Sequence, residues 1–213
     1  MNQRLSGPER RESILSAAQG LFASKGFYGV SVDEIARAVN VSPAILYRHF
    51  DSKQTLYTAV LEKFSCQRQS YVDTIVNYGT RFEDALTGMT QVYISNIAEN
   101  PDILKMELYS LLEGNPATQA FFQNRWKSFT DYIEFGLNEH LPYDVPNREK
   151  IILSAGLMFQ GMIREALIQK CLQPQDRLID LSLYELSHEL VTLFLHSIGI
   201  NKTHLSRKAT ISG

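Results

Sequence analysis

Residues 31–53 read Ser31-Val32-Asp33-Glu34-Ile35-Ala36-Arg37-Ala38-Val39-Asn40-Val41-Ser42-Pro43-Ala44-Ile45-Leu46-Tyr47-Arg48-His49-Phe50-Asp51-Ser52-Lys53, and several helix starts fall within this short stretch. Ser31 with Glu34 is a Ser-x-x-Glu capping box, in which the hydroxyl takes an orphan amide and the carboxylate reaches back to the amide of the cap. Ser42 before Pro43 sets a capping oxygen ahead of a residue whose fixed φ suits the first helical position and whose missing donor costs nothing there. Asp51 with Gln54 is a further cap of the same kind. Ile35, Ala36 and Val39 supply one apolar face of the first helix. Asn40 suits the left-handed residue that ends it, and Val41 turns back toward the core. Helix, short turn, helix is the spacing of a helix-turn-helix.

In the second of these helices Ile45, Leu46 and Phe50 face inward, leaving Ser42, Pro43, Ala44, Tyr47, Arg48 and His49 to point elsewhere. A helix entering a major groove end-on needs small residues at that end so that its backbone can approach, with longer donors behind for phosphates. Tyr47 bonds a phosphate oxygen through its phenol in this reading. Lys53 sits where a third helix start adds amide donors, and Ser31 joins the same DNA-facing set. The alternative is an ordinary three-helix packing motif with a solvated polar face.

The run Gly26-Phe27-Tyr28, then Ser31 to Ala36, then Val41 to Phe50 with Lys53, resembles the DNA-binding domain of TetR-type (TetR/AcrR family) transcriptional regulators. The resemblance covers roughly the first third of the chain, and its Leu-Tyr-x-His-Phe-x-x-Lys ending is more specific than a generic helix-turn-helix. Members often carry Gly where this chain has Ala44; Ala is still small, so docking survives while the base contacts change. The resemblance implies a small molecule bound between the body helices, and a dimer formed by two C-terminal helices from each subunit.

At 213 residues the chain can bury one large core or two small ones. Hydrophobic residues at 44% and charged residues at 21% are ordinary for a soluble globular protein. The net charge of −2 divides unevenly: residues 1–63 hold eight Lys/Arg and six Asp/Glu, the remainder thirteen and seventeen. The sign fits a small DNA-facing end on an acidic body. Cys66 and Cys171 lie far apart in apolar-periodic surroundings and read as reduced thiols. The polar N-terminus carries no signal peptide. The longest apolar stretch, Ile151 to Ile163, is interrupted by Ser154 and Gln160 and is too short to span a bilayer. The expectation is a soluble, cytoplasmic protein with no membrane partner.

Upstream, Ser6 with Glu9 is another capping box with Pro8 in the first turn. Ile14, Leu15, Ala18, Leu21 and Phe22 make one helical stripe, closed by Lys25 and Gly26, and Phe27 is expected to plug the junction. Arg4, Arg10 and Arg11 read as a basic tail, touching phosphates or simply solvated. From Asp51 the pattern of Leu56, Val60, Leu61 and Phe64 continues to about Asn77 as one long helix leading into the body. Helical periodicity then recurs over Phe82–Glu99, Ile103–Leu112, Gln119–Leu137, Arg148–Leu172 and Leu181–Ile198, with breakers between. No stretch alternates as a strand does. The prediction is an all-α fold: a helix-turn-helix domain over 1–52, a helical ligand-binding and dimerisation domain over 53–200, and a frayed tail over 201–213.

Two signals stand out in the body. Tyr93, Tyr109, Phe122, Trp126, Phe129, Phe159 and Met162 are either plain core or the lining of an apolar ligand cavity, with nearby amides (Gln91, Asn96, Gln160) fixing orientation. Ile152, Ala155, Phe159, Ile163, Leu186, Leu190, Leu193 and Phe194 make the last two helices apolar on more than one side, which calls for a two-fold partner or deep burial within the monomer. No phosphate loop, nucleophile elbow or paired-cysteine metal spacing occurs. Glu185 and His188 form one Glu-x-x-His pair where a di-iron bundle needs two, and a solvated helix face is the expected reading. No metal, cofactor or catalytic residue is expected. The reading is a dimeric, ligand-responsive repressor on a near-palindromic duplex operator. The competing readings are a regulator answering to a protein partner and an all-α enzyme.

Overall fold

A computed structural model describes residues 5–65, 81–173, 178 and 180–200. They form helices and connecting turns with no strand among them, the all-α fold that the periodicity predicts. The helices are α1 (Gly7–Lys25), α2 (Val32–Ala38), α3 (Pro43–Tyr47), α4 (Lys53–Ser65), α5 (Phe82–Glu99), α6 (Asp102–Glu113), α7 (Pro116–His140), α8 (Arg148–Leu167, running on as a π turn over Ile168–Leu172) and α9 (Leu183–Ser197). The continuation of α4 toward Asn77, Cys66, Arg4 and the expected tail over 201–213 lie outside the described residues.

Local chemistry explains the boundaries. The Ser6 amide donates to Glu9 Oε2 at 2.8 Å while the Ser6 hydroxyl accepts from the Glu9 amide, so α1 opens with its full capping box. It closes on Gly26, whose φ of 72° lies where a side chain is strained. α2 ends as a Schellman motif: Asn40 is left-handed at φ 53°, its amide bonds Arg37, and the Val41 amide bonds Ala36.

Three starts differ from expectation. At α2 only half the box forms, because Ser31 accepts from the Glu34 amide at 3.1 Å but the Glu34 carboxylate pairs with Lys25. At α3 Ser42 makes no side-chain cap; Pro43 brings no amide to satisfy, and the Ile45 amide bonds the Ser42 carbonyl instead. At α4 the cap is Ser52, not Asp51. Its hydroxyl accepts from the Thr55 amide at 3.0 Å, because helical geometry starts one residue later than the Asp51-x-x-Gln54 spacing implies. Arg10 and Arg11 belong to α1 and not to a basic tail.

The chain divides into two compact units, Met1–Gln69 with Pro101–Phe122, and Ser70–Asn100 with Gln123–Gly213. This division by packing is not the division by function expected at residue 52. In the first unit α1 packs on α2, α4 and α6, and α2 on α3. Its core is Ile14, Leu15, Ala18 and Phe22 of α1 with Ile35, Leu46, Phe50, Leu56, Tyr57, Val60, Ile103 and Met106. Each Val, Leu, Ile, Phe or Met side chain among them contributes about 1.5–3 kcal/mol of burial.

In the second unit α5 packs against α8 and α9 around Leu86, Met89, Tyr93, Ile94, Phe129, Ile133, Phe159, Ile163, Val191 and Phe194. The Phe82 ring lies so close to α7 that a Cβ on Gly136 would meet it at 2.0 Å. The helix Arg148–Leu172 is 25 residues long with a mean hydropathy of 1.5 over its most apolar window, enough by length and composition to cross a membrane. This corrects the expectation of a stretch too short to span. The expectation measured only Ile151–Ile163, whereas the helix extends from Arg148 through the π turn to Leu172. Ile152, Ala155, Phe159, Ile163 and Leu167 of this helix are buried in the second unit.

Candidate nucleic-acid interface

The exposed end of α3 is built from its start outward. Ser42, Pro43 and Ala44 are exposed, Leu46 and Phe50 are buried beneath, and Ile45 is half-buried. The Ser42 hydroxyl, spared from capping, is free to contact a ligand. One turn on, Tyr47 is half exposed and Arg48 exposed, while His49 is half-buried. Ser31, at the head of α2, is also exposed, although its hydroxyl accepts the Glu34 amide. The face therefore presents a small, low-profile end with longer donors behind it, which suits approach of backbone to base edges and of side chains to phosphates.

Lys53 is placed differently from the other expected contacts. Its ammonium donates to the carbonyls of Phe27 at 2.9 Å and Val30 at 3.0 Å and lies 4.3 Å from the centre of the Phe27 ring. It ties the start of α4 to the turn before α2, and this structural work takes two of its three donors. Arg11 lies 4.9 Å over the Phe50 ring, which brings a guanidinium from α1 to the end of α3.

The turn ahead of α2 is held from below by α6. Glu113 accepts the amides of Phe27 at 3.0 Å and Tyr28 at 3.1 Å, and the Tyr109 hydroxyl donates to the Ser24 carbonyl at 2.8 Å. A Cβ on Gly26 would fall 2.2 Å from Glu113 Oε1. Under the same turn, the Tyr57 ring meets Phe22 and Phe27 edge-on at 4.7 and 5.2 Å. Burial pushes the Tyr57 phenol up to about 12.

Of the expected ligand-pocket residues, the structure brings Tyr93, Trp126, Phe129 and Phe159 together in the second unit. Tyr93 lies 4.8 Å from Trp126 and 5.4 Å from Phe129, and Phe129 lies 6.3 Å from Phe159. Met162 is half-buried on α8. Tyr109 and Phe122 belong to the first unit.

Of the residues expected at a subunit contact, Ile152, Ala155, Phe159, Ile163, Leu186 and Phe194 are buried within this single chain. Leu190 is half-buried and Leu193 exposed. On the first of these helices the apolar side chains Leu153 at 71%, Leu157 at 69% and Met158 are also left open, beside the positions expected there. A cleft of about 320 Å³ lined by Ile151, Ser154, Ala155, Met158, Ser197 and Ile198 runs along this face. Glu185 caps α9, accepting the Ser182 amide at 2.8 Å. Among the described residues no cluster of His, Cys, Asp or Glu suits a metal.

Sequence reasoning missed the Ser52 cap, the Glu113 clamp and a buried arginine, Arg125. The first was visible as Ser52-x-x-Thr55. The second joins residues 86 positions apart and leaves no local signal. The third was hidden by its polarity in a search for apolar lining.

Residues 14–60 match the sequence model of the bacterial regulatory proteins, tetR family. The chain is 40% identical over 74 residues to the HTH-type transcriptional activator FasR of Mycolicibacterium smegmatis (strain ATCC 700084 / mc(2)155), which is 35% of this chain and 31% of that protein. It is 45% identical over 47 residues to the biofilm operon icaADBC HTH-type negative transcriptional regulator IcaR of Staphylococcus aureus (strain Newman), 22% of this chain and 25% of the other. The chain thus spans about a third or less of the length of these curated relatives. In fold it is similar to a TetR-like transcriptional regulator from Rhodococcus sp. RHA1, with a TM-score of 0.72 at 14% identity over 93% of this chain and 100% of that one.

Proposed function

We propose that the chain, whose residues 14–60 match the tetR family of bacterial regulatory proteins, is a dimeric repressor of that family that reads a near-palindromic operator and leaves it when a small apolar or amphipathic molecule enters the body. The observation that carries this reading is the exposed, small-residue end of α3. Ser42, Pro43 and Ala44 meet base edges; Tyr47, Arg48 and His49 reach toward the backbone, with Ser31 at the head of α2. Lys53 acts here chiefly by holding the turn that presents them.

One short recognition helix reads few bases, so a two-fold pair is needed for useful specificity. Exposed Leu153, Leu157, Met158 and Leu193 support pairing through α8 and α9, since contiguous exposed apolar surface marks an interaction face. The ligand favours a conformer in which α4 and α6 shift the turn before α2, and with it the spacing of the two recognition helices. About 1–3 kcal/mol of differential affinity is enough to weaken operator binding usefully.

Selection of bound duplexes from a random pool, using the whole chain, tests the reading. A two-fold symmetric sequence is expected to enrich, and a metabolite library is expected to contain compounds that release it. Failure to enrich any symmetric sequence overturns the proposal.

A further inference from the structure

Arg125 on α7 is 7% exposed, and its Nε has no hydrogen-bond partner. Among the described residues it forms no ion pair. Its guanidinium carbon lies 5.0 Å from the ring centre of Tyr93. A ring face offsets part of the charge but uses none of the five in-plane donors of the fork. Burying a guanidinium without an anion is unfavourable.

The surroundings sharpen what is missing. Tyr93 contacts Trp126 and Phe129. A second guanidinium, that of Arg164 on α8, lies 5.8 Å from the Trp126 ring centre. With its amide turned to face its donors, Gln160 accepts from Trp126 Nε1 at 3.1 Å and from Arg164 Nη2 at 2.7 Å. The indole donor is thereby occupied, while the Arg125 Nε is left without a partner beside the Tyr93 ring. Two guanidinium groups thus lie over adjacent rings.

We propose that Arg125 is the anchor for the anionic head of the ligand, and that the ligand is a monocarboxylate on an apolar acyl or aryl body. The planar fork matches a carboxylate bidentately, while Tyr93, Trp126 and Phe129 pack on the apolar remainder. A phosphate dianion would call for more donors than one guanidinium supplies. This names the ligand class for the ligand-responsive body of the proposed function and rests on that reading.

Trp126 is the only tryptophan in the chain, so its emission reports on this locality alone. The whole protein is titrated at pH 8 with straight-chain and phenyl-substituted monocarboxylic acids and, separately, with the alcohols of the same skeletons. The acids are expected to shift Trp126 emission at concentrations about tenfold or more below those of the alcohols. Arg125→Gln is expected to abolish that preference while leaving alcohol binding within about twofold, and Arg125→Lys, charged but without the fork, to fall between. Equal binding of acid and alcohol by the wild-type chain overturns the proposal and needs no variant to fold. So does an acid preference that survives Arg125→Gln, and so does silence of Trp126 toward every acid. Duplex selection with the same preparation reports on the DNA reading separately, so the two cannot fail unnoticed together.

Discussion

Removing the phenol oxygen in Tyr47→Phe leaves the ring in place and takes away the phosphate hydrogen bond proposed for it. Duplex binding is expected to weaken by about 1 kcal/mol on all sequences alike, as read by titration against operator and scrambled duplexes. Ser42→Ala removes a hydroxyl that the helix does not use as a cap, so it is expected to change which base is preferred and to leave the melting temperature unchanged. At Gly26 the positive φ and the nearness of Glu113 act together. Gly26→Ala is expected to destabilise the first unit by more than the roughly 1 kcal/mol of backbone strain, because the clamp on the Phe27 and Tyr28 amides must also move. Tyr57 sets an alkaline limit. Its folded phenol is raised to about 12 by burial, so its contribution is complete below about pH 10 and is lost between about 10 and 12, where the unfolded chain ionises and the folded one does not. That loss is on the order of 2 kcal/mol, and denaturant melts of Tyr57→Phe across this window are expected to be flatter than those of the parent.

Helix ends were legible in the sequence where the partners lie within one turn and have no rival. Ser6 with Glu9, Asn40 with Val41, and Gly26 all stand where their residue types point, because capping is a contest among neighbours. Ser42 and Asp51 stand otherwise because the same carbonyls and hydroxyls had rival local partners in the Ile45 amide and in Ser52. The exposed character of α3 was legible too, since its apolar positions leave one face for water. The second role of Lys53 was not, because the carbonyls of Phe27 and Val30 come beneath it only after the chain has turned back. At α9 the Ser182 and Glu185 box has its own pH signature. Hydrogen bonds from Ser182 hold the Glu185 carboxyl below its ordinary value of 4.5, so the cap contributes above that pH and is lost as pH falls through the folded value. Glu185→Gln keeps the geometry without the titration, and its thermal melts are expected to depend less on pH below about 4.5 than those of the parent.

For the molecule as a whole, the apolar side chains open on α8 and α9 carry the case for two-fold assembly. Leu157→Asp with Leu193→Asp places charge on that face without touching the buried set. The double variant is expected to sediment as a monomer with an unchanged helical circular dichroism spectrum and to lose operator binding. The charges of the first unit bear on a different property. Lys25 is paired with Glu34 and Lys63 with Glu12, Lys53 is turned onto two carbonyls, and Arg37 bonds the Asp33 carbonyl. Among the described residues of this unit, Arg10, Arg11 and Arg48 remain to displace counterions in the proposed duplex complex, about six in the proposed dimer, for an expected log–log salt slope near −5. For the operator reading proposed above, so few free cations predict a weak hold on arbitrary chromosomal sequence and arrival at the target chiefly by three-dimensional diffusion.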